Sequence, residues 1–286
     1  MNIFSAVIVT YNPNLSQLKA CVSSLFPQVE KIVIVKNSSE KLDFSEFQNE
    51  KIIQIQLEKN FGIAYAQNRG IEKTIKLGSE WILLSDQDTV FPENYVADFE
   101  RKIKSFGKSK IYAPTFFNEV KNQKEPVSVS MLKPIVPSGS EAVKVLHAIS
   151  SGMIFCKEVF QKIGGMKEEL FIDYVDFEFC WRARKIGIET LCFPDISIHH
   201  QLGDSYKKVW GKKITLRSDF RYFYMLRNGL YLSKNCECLS DHEKSVLCRR
   251  TLIFAFGIIL ISKNKLKALK LVGKAAQEAR KMRNGK

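Results

Sequence analysis

The sequence predicts an α/β fold with a mostly parallel central sheet and a helical C-terminal extension. Short apolar runs alternate with amphipathic stretches over residues 3–84, and strands that alternate with helices pair in parallel through right-handed crossovers. Polar side chains follow the first, second and fourth apolar runs, where open α/β sheets bind their ligands. We therefore expect one ligand-binding domain over residues 1–212 and a helical extension over 213–286.

Hydrophobic periodicity predicts the elements in chain order. Asn14 is expected to cap the first helix, whose apolar face runs from Leu15 to Leu25, and Gly187 is expected to end a later helix. The remaining predictions are strands at 3–9, 32–35, 52–57, 81–84 and 190–193, helices at 62–77 and 174–186, short strands and turns over 111–149, a loop over 199–204, and helix after Lys212.

Charge is unevenly spread along the chain. The net charge is +14, and the last 42 residues contribute +10 of it, with eleven Lys or Arg and one Glu. Such asymmetry points to an anionic partner, either a membrane surface or nucleic acid.

The seven cysteines form no CxxC pair, which argues against a structural zinc site or a disulfide framework. The N-terminus resembles no signal peptide, so a cytoplasmic protein is expected.

Two acids directly follow the fourth apolar run. Asp86 and Asp88 lie after Trp81–Leu84, and two carboxylates at this spacing are suited to hold a divalent cation against a diphosphate. The alternative is a solvated acidic turn, which the position at the end of a buried strand disfavours.

A second acidic segment is embedded among aromatic residues. Asp173, Asp176 and Glu178 lie within residues 171–182, and a carboxylate at the mouth of an apolar pocket can serve as a general base. The alternative is that these acids cap the following helix, and Asp173 is the better candidate for a cap.

His199 and His200 end an apolar strand, where an imidazole could complete a metal site with Asp88 or serve a purely structural role.

Seven segments together resemble the inverting family 2 glycosyltransferases of the GT-A fold, and in particular their bacterial rhamnosyltransferase branch. They occur in the family's order over about 220 residues, which a chance match of one short motif could not produce. They are AVIVTYNP (6–13), NFGIAYAQNRGI (60–71), LLSDQDT (83–89), SSGMIF (150–155), FIDYVDFEFCWRARKIG (171–187), HHQLGD (199–204) and RYFYMLRN (221–228).

The resemblance implies a role for each matching position. It makes residues 1–212 the catalytic GT-A domain, with the nucleotide-sugar part up to about 110 and the acceptor part over about 111–212. Asp176 matches the catalytic base, Asp88 the metal ligand, and His200, or failing that His199, a further ligand of Mg²⁺ or Mn²⁺. The positions that match the nucleotide and diphosphate contacts are Thr10, Tyr11, Asn37, Asn60, Gly62, Ala64, Asn68, Asp86, Arg227 and Asn228.

The resemblance also implies the substrates. The donor is a nucleotide-diphospho-sugar, with dTDP-rhamnose as the first choice, and the acceptor is a hydroxyl of a glycan or lipid-linked glycan in cell-surface polysaccharide synthesis. Lys36 stands where the family usually has an Asp that contacts the base, which leaves UDP-hexose and UDP-galactofuranose as alternative donors.

The C-terminal residues predict a membrane contact. An apolar run over 251–262 is followed by lysines at helical spacing, a pattern typical of attachment to an anionic membrane surface. The expected location is therefore the inner face of the cell membrane. A helical hairpin packed on the core is the alternative.

Two other functions are disfavoured. A sugar-nucleotide pyrophosphorylase is disfavoured because the first loop lacks glycine and arginine. Nucleic-acid binding is disfavoured because no nucleic-acid-binding motif is present.

Overall fold

The computed structural model of the chain describes residues 3–39, 45–118, 122–200, 206–209, 212–215 and 217–284. These residues form two compact units. The first unit extends to Phe171 and resumes at Val175, continuing through the last strand of the large sheet. The second consists of Ile172–Tyr174 and the described residues from 206 onward.

The first unit alternates strands and helices. Its elements are β1 (Phe4–Thr10), α1 (Leu15–Leu25), β2 (Lys31–Lys36), β3 (Ile52–Gln56), α2 (Ile63–Lys76), β4 (Trp81–Asp86), α3 (Tyr95–Phe106), β5 (Lys110–Asn118), β6 (Gln123–Lys124), β7 (Val127–Ser128), β8 (Pro134–Ile135), β9 (Val143–Val145), β10 (Ile154–Cys156), α4 (Lys157–Ile163), α5 (Val175–Lys185) and β11 (Glu189–His200).

The second unit is mainly helical. A hairpin precedes three helices, and the elements are β12 (Tyr206–Val209), β13 (Lys212–Thr215), α6 (Asp219–Asn235), α7 (Asp241–Ile261) and α8 (Lys265–Asn284). Tyr222, Leu226, Ala255, Ile258 and Ala275 form the apolar core of these helices. No helix among the described residues combines the length and apolar composition needed to cross a bilayer.

The large sheet of the first unit confirms the predicted α/β fold. Its strand order is β3-β2-β1-β4-β10-β5-β11-β9, with β6 paired to β5. The long pairings β1–β2, β1–β4, β2–β3 and β5–β11 are parallel, whereas the shorter β10, β9 and β6 pair antiparallel to their neighbours. The central strands β1, β2 and β4 are apolar and buried along most of their length, as expected of a sheet covered on both faces.

Local signals account for the first helices of this unit. Asn14 caps α1 as predicted, because its side-chain oxygen accepts hydrogen bonds from the backbone N–H groups of Ser16 and Gln17. In α2, Gly70 lets the helix approach the sheet, since a Cβ there would lie 2.2 Å from Val7 Cγ1. Because β1 pairs in parallel with both β2 and β4, the carboxyl ends of these three strands meet at one edge of the sheet.

Two sequence-based predictions need correction, and two helices were missed. His199 and His200 belong to β11 and not to a loop, because the strand continues past an irregularity after Phe193 and pairs with β5 up to Asn118. Residues 212–215 form β13 and are not helical, since they pair with β12. Helices α3 and α4 were not predicted, although α3 buries Tyr95, Phe99 and Ile103 at regular helical spacing.

Candidate functional site

Asn37 joins the ends of β1 and β2 to the loop that follows β3. Its backbone N–H donates to the Thr10 carbonyl at 2.8 Å. Its side-chain Nδ2 donates to Asn60 Oδ1 at 3.1 Å, and its Oδ1 accepts from the Phe61 N–H at 2.9 Å. Asn60 Oδ1 also accepts from the Gly62 N–H at 2.9 Å. The structure therefore brings Thr10, Asn37, Asn60 and Gly62 together.

Gln87 ties the loop after β1 to the loop after β4. The Tyr11 N–H donates to Gln87 Oε1 at 2.8 Å, and Gln87 Nε2 donates back to the Tyr11 carbonyl at 3.4 Å. Tyr11 itself is half exposed, whereas Asp86, Gln87 and Asp88 are half-buried. Sequence reasoning assigned no role to Gln87, although its place between the two acids was visible.

The first turn of α2 has an unusual cap. Gly62 precedes the helix with φ 89° and ψ 163°, a region that is essentially restricted to glycine. The Ile63 N–H donates to the Phe171 carbonyl at 2.7 Å, and a Cβ on Gly62 would lie 2.5 Å from that same oxygen. A backbone carbonyl from a distant segment thus takes the place of a capping side chain.

Asp176 lies in the first turn of α5. Its Oδ2 accepts a hydrogen bond from the Ser150 N–H at 3.0 Å, and its Oδ1 accepts from the N–H of Phe177 at 2.9 Å. The expectation that Asp173 would cap this helix is wrong, because its carboxylate instead forms an ion pair with Arg221. Three non-glycine residues before the helix have left-handed backbone angles: Phe171, Asp173 and Tyr174, with φ between 63° and 66°.

Ser150 and Ser151 connect the acidic loop after β4 to Asp176. Ser151 Oγ accepts from the Asp86 N–H at 3.2 Å and lies 2.8 Å from Thr89 Oγ1. The neighbouring Ser150 holds Asp176 through its N–H. The carboxylates at positions 88 and 176 therefore lie on segments that one serine pair joins. In the sequence, this serine pair was visible only as part of the SSGMIF motif (150–155).

An aromatic group lies beside Asp176. The His147 ring stacks on the Phe177 ring with centroids 3.7 Å apart, and Trp181 Nε1 donates to His147 Nδ1 at 3.2 Å. Because Nδ1 accepts this bond, the neutral imidazole carries its proton on Nε2. Sequence reasoning did not single out His147, since no local pattern marks it.

Cys21 packs beneath the acidic loop and hydrogen-bonds to it. Its sulfur lies 3.4 Å from Ser85 Oγ and donates to the Asp86 carbonyl. Burial raises the pKa of the Cys21 thiol to about 12, so the thiol is protonated at neutral pH and acts as a hydrogen-bond donor beneath this loop.

Strand β11, which ends in His199 and His200, passes next to the acidic loop. The backbone of His199 forms an antiparallel bridge with Val90, two residues after Asp88, and the exposed His199 ring contacts that of Phe117. His200 pairs with Asn118, and its side chain lies outside the described part of the structure. Within the described ranges, no three His, Cys, Asp or Glu side chains form a ready-made metal site.

The donor set nevertheless fits a cation that binds together with a diphosphate. Mg²⁺ in nucleotide sites is commonly held by one or two carboxylates plus substrate phosphates, not by a complete protein cage. Asp86 at the end of β4 and Asp88 two residues later supply two such carboxylates.

Asn68 and Glu178 act mainly within the framework around the site. Asn68 is buried, and its amide accepts from the Met166 N–H and donates to the Met166 carbonyl and to Glu168. Glu178 is fully buried and forms an ion pair with Arg182, whose Nε–H is shared between the two carboxylate oxygens at 2.9 Å each. Both networks fix the segment before the 3₁₀ turn at Glu168–Leu170.

Arg227 belongs to α6 of the second unit. Its Nε and Nη2 donate to Asn228 Oδ1 at 2.9 and 2.8 Å, and its guanidinium lies over the Tyr224 ring at 4.5 Å. The role of Arg227 at a diphosphate stays a prediction.

Sequence comparisons give close relatives. A family model described as Glycosyl transferase family 2 matches residues 5–164. The dTDP-rhamnosyl transferase RfbF of Shigella flexneri is 35% identical over 275 residues, which cover 93% of this chain and 91% of the relative. The low-salt glycan biosynthesis hexosyltransferase Agl10 of Haloferax volcanii is 26% identical over 255 residues, which cover 85% and 81%.

Solved structures show the same fold at low identity. S. aureus TarS 1-349 matches with a TM-score of 0.61 and 16% identity, covering 97% of this chain and 80% of that one. GalNAc-T7 with UDP, GalNAc and Mn²⁺ matches with a TM-score of 0.61 and 16% identity, covering 92% of this chain and 58% of that one. These likenesses confirm the predicted GT-A fold.

Proposed function

The chain belongs to glycosyl transferase family 2, and from that premise we propose that it moves L-rhamnose from dTDP-rhamnose onto a hydroxyl of a glycan or lipid-linked glycan, with inversion. The similarity to the dTDP-rhamnosyl transferase of Shigella flexneri extends over 93% of the chain and supports this donor. The observation that carries the proposal is the serine pair that joins the acidic loop after β4 to Asp176.

We assign the nucleotide to the sheet edge formed by the ends of β1, β2 and β4. Thr10, Asn37 and Asn60 are held there in one hydrogen-bonded cluster, and the half-exposed Tyr11 lies beside it. Gly62 precedes α2 at this edge and is assigned to the nucleotide site with it, and Asp86 would approach the ribose. Asn68 supports this edge indirectly by holding the segment at Met166, and Arg227 remains a candidate for the diphosphate.

We assign a divalent cation, Mg²⁺ or Mn²⁺, to Asp88 with His200, or failing that His199, as a further ligand. The Mn²⁺ in the GalNAc-T7 structure supports metal use by this fold, and the bridge between Val90 and His199 supports the pairing of the two segments. When bound, the cation supplies positive charge that favours departure of the diphosphate.

Asp176 is the proposed general base. Two backbone N–H groups orient its carboxylate at the start of α5, and hydrogen bonds of this kind favour the ionised form that accepts a proton. Asp176 would take the proton of the acceptor hydroxyl as its oxygen attacks the anomeric carbon from the face opposite the diphosphate. The bond to the diphosphate breaks in the same step, so the anomeric configuration inverts.

We also propose peripheral contact with the inner face of the cell membrane through α7 and α8. Leu252, Ile253, Phe256 and Leu260 lie on one face of α7, and each is more than half exposed. The exposed cations Arg249 and Lys263 lie at the two ends of this face. An apolar stripe with flanking cations matches the boundary between acyl chains and anionic headgroups. We call these four residues the apolar stripe.

A panel of sugar donors tests the proposed function. Purified protein is incubated with dTDP-rhamnose, UDP-hexoses and UDP-galactofuranose, a glycan acceptor and Mg²⁺ or Mn²⁺, and release of the nucleoside diphosphate is measured. We expect dTDP release only from dTDP-rhamnose, loss of release with a chelator, and loss in Asp88→Asn. Preferred turnover of a UDP sugar would contradict the rhamnose assignment, and full activity in the chelator would contradict the metal assignment.

A further inference from the structure

A short segment just before the proposed base groups with the C-terminal helices. Ile172–Tyr174 belongs to the second unit, whereas Phe171 and Val175 on either side belong to the first. We call Ile172–Tyr174 the strap. Phe171, Asp173 and Tyr174 all have left-handed φ angles. Non-glycine residues keep such angles only where their surroundings impose them, and such angles concentrate at functional sites.

Asn228 of α6 holds the strap by its backbone. The Asn228 side chain is fully buried, and its Nδ2 donates to the Ile172 carbonyl at 2.8 Å and to the Asp173 carbonyl at 2.9 Å. Its Oδ1 accepts from Arg227. A guanidinium can only donate hydrogen bonds, so Arg227 fixes which end of the amide faces the strap.

Arg221, about two helical turns before Asn228 in α6, binds the side chain of a strap residue. Its guanidinium donates through Nε and Nη2 to the two carboxylate oxygens of Asp173, a bidentate geometry that sets orientation as well as distance. The Asp173 side chain is 12% exposed, so the pair is partly shielded from water. Two side chains of α6 therefore fix the strap at adjacent residues.

Both ends of the strap lead directly to the site. On one side, the Phe171 carbonyl accepts from the Ile63 N–H at the start of α2. On the other side, the chain reaches Asp176 two residues after Tyr174. We propose that Asn228 and Arg221 are positioning residues, which set the carboxylate of Asp176 and the start of α2 through the strap. The inference rests on the proposed role of Asp176 as the base.

The test uses two variants of α6 and a matched control. Asn228→Asp keeps the oxygen that accepts from Arg227 but replaces the donor to both strap carbonyls. Arg221→Gln removes the ion pair at a side chain that is 37% exposed, so it serves if Asn228→Asp does not fold. Asn235→Asp makes the same chemical change in the same helix, where the amide donates only to the Tyr231 carbonyl.

Two measurements are made on each full-length variant. We expect amide hydrogen exchange to rise at residues 171–177 and 62–64 in both α6 variants and to stay unchanged in the control. We expect kcat to fall by about ten- to a hundredfold, since a displacement of about 1 Å can cost a hundredfold. The donor KM should change by a smaller factor than kcat, because the proposed base acts in the transition state.

The outcomes separate this inference from the proposed function. Exchange and kcat equal to those of Asn235→Asp would overturn the positioning role, and so would a loss confined to the donor KM. A wild-type protein that transfers no sugar would count against the proposed function, while the exchange rates at 171–177 would still decide whether α6 holds the strap.

Discussion

At the scale of residues, two carboxylates of α5 lie in different surroundings. Asp176 accepts two backbone hydrogen bonds at a helix start, where the helix dipole also favours a negative charge. Glu178, two residues later, is fully buried against Arg182. Neighbouring carboxylates in one short motif thus have different environments.

Replacing the base tests the residue that matters most to the proposed chemistry. We expect Asp176→Asn to lower kcat by about a hundredfold or more, the usual range for a lost general base, because an amide cannot accept the proton. Binding of dTDP-rhamnose, measured by calorimetry, should persist, since Asp176 has no proposed contact with the donor. A variant that loses donor binding together with turnover would argue against the base role.

A comparison of Gly62 with Gly107 separates the effect of the close contact between Gly62 and Phe171 from the effect of backbone strain. Gly107, at the end of α3, has nearly the same angles, with φ 86° and ψ 169°, but nothing lies within 4 Å of a Cβ built there. We expect Gly62→Ala to reduce both thermal stability and kcat, because the new Cβ would push the Phe171 carbonyl away from α2. Gly107→Ala should lose stability only, by about 1–3 kcal/mol.

At the scale of elements, one carboxylate ties three strands of the sheet together. Glu189 at the start of β11 forms ion pairs with Lys110 of β5 at 2.7 Å and with Lys144 of β9 at 2.6 Å. Hydrogen bonds from the two ammonium groups lower the pKa of Glu189 to about 2. Since the folded-state pKa is below the unfolded one, the stabilisation is present at neutral pH and disappears as the pH falls toward 2.

Glu189→Gln should reveal that pH dependence. The Glu189 side chain is 35% exposed, so we expect a loss of only about 0–1 kcal/mol in the free energy of unfolding at pH 7. The difference from wild type should narrow below about pH 4, near the unfolded pKa, as measured by urea titration. Glu93→Gln removes an exposed carboxylate and is the control. A difference that stays constant down to pH 3 would exclude the linkage.

The elements that the sequence identified correctly are those with strong local signals. Asn14 before α1, Gly187 after α5 and the apolar runs of β1, β2 and β4 were all visible as short patterns. The extension of β11 to His200 was not visible, because its pairing partner is β5, far away in the chain. Strand length depends on such nonlocal pairing, whereas a helix start depends on residues within one turn.

At the scale of the whole molecule, charge is concentrated at the C-terminus. The last 42 residues carry a net charge of +10, and the apolar stripe of α7 lies within them. A second copy of the chain would bring the same cations face to face, which disfavours self-association through this surface. An anionic lipid surface complements both the charge and the exposed apolar area.

Vesicle binding tests the membrane contact. We expect wild-type protein to co-sediment with phosphatidylcholine vesicles that contain phosphatidylglycerol, and added salt to weaken the binding. Ile253→Ser with Phe256→Ser should weaken it by at least about tenfold, since burying one large apolar side chain contributes about 1.5–3 kcal/mol. Val136→Ser, at a comparably exposed position of the first unit, is the control. Wild-type protein that stays in the supernatant would exclude the contact.

The sequence by itself determined the family, the α/β fold and the chain positions of the acidic loop and of Asp176. These follow from periodicity and from motifs of a few residues, which a linear chain records directly. Only the tertiary structure decided that Ser150 and Ser151 join those two places, that Asp173 pairs with Arg221 in place of capping α5, and that Asn68 holds Met166. These contacts link residues that lie 26 to 98 positions apart in the chain. No local pattern encodes such a contact, because it arises only when strands and helices have packed.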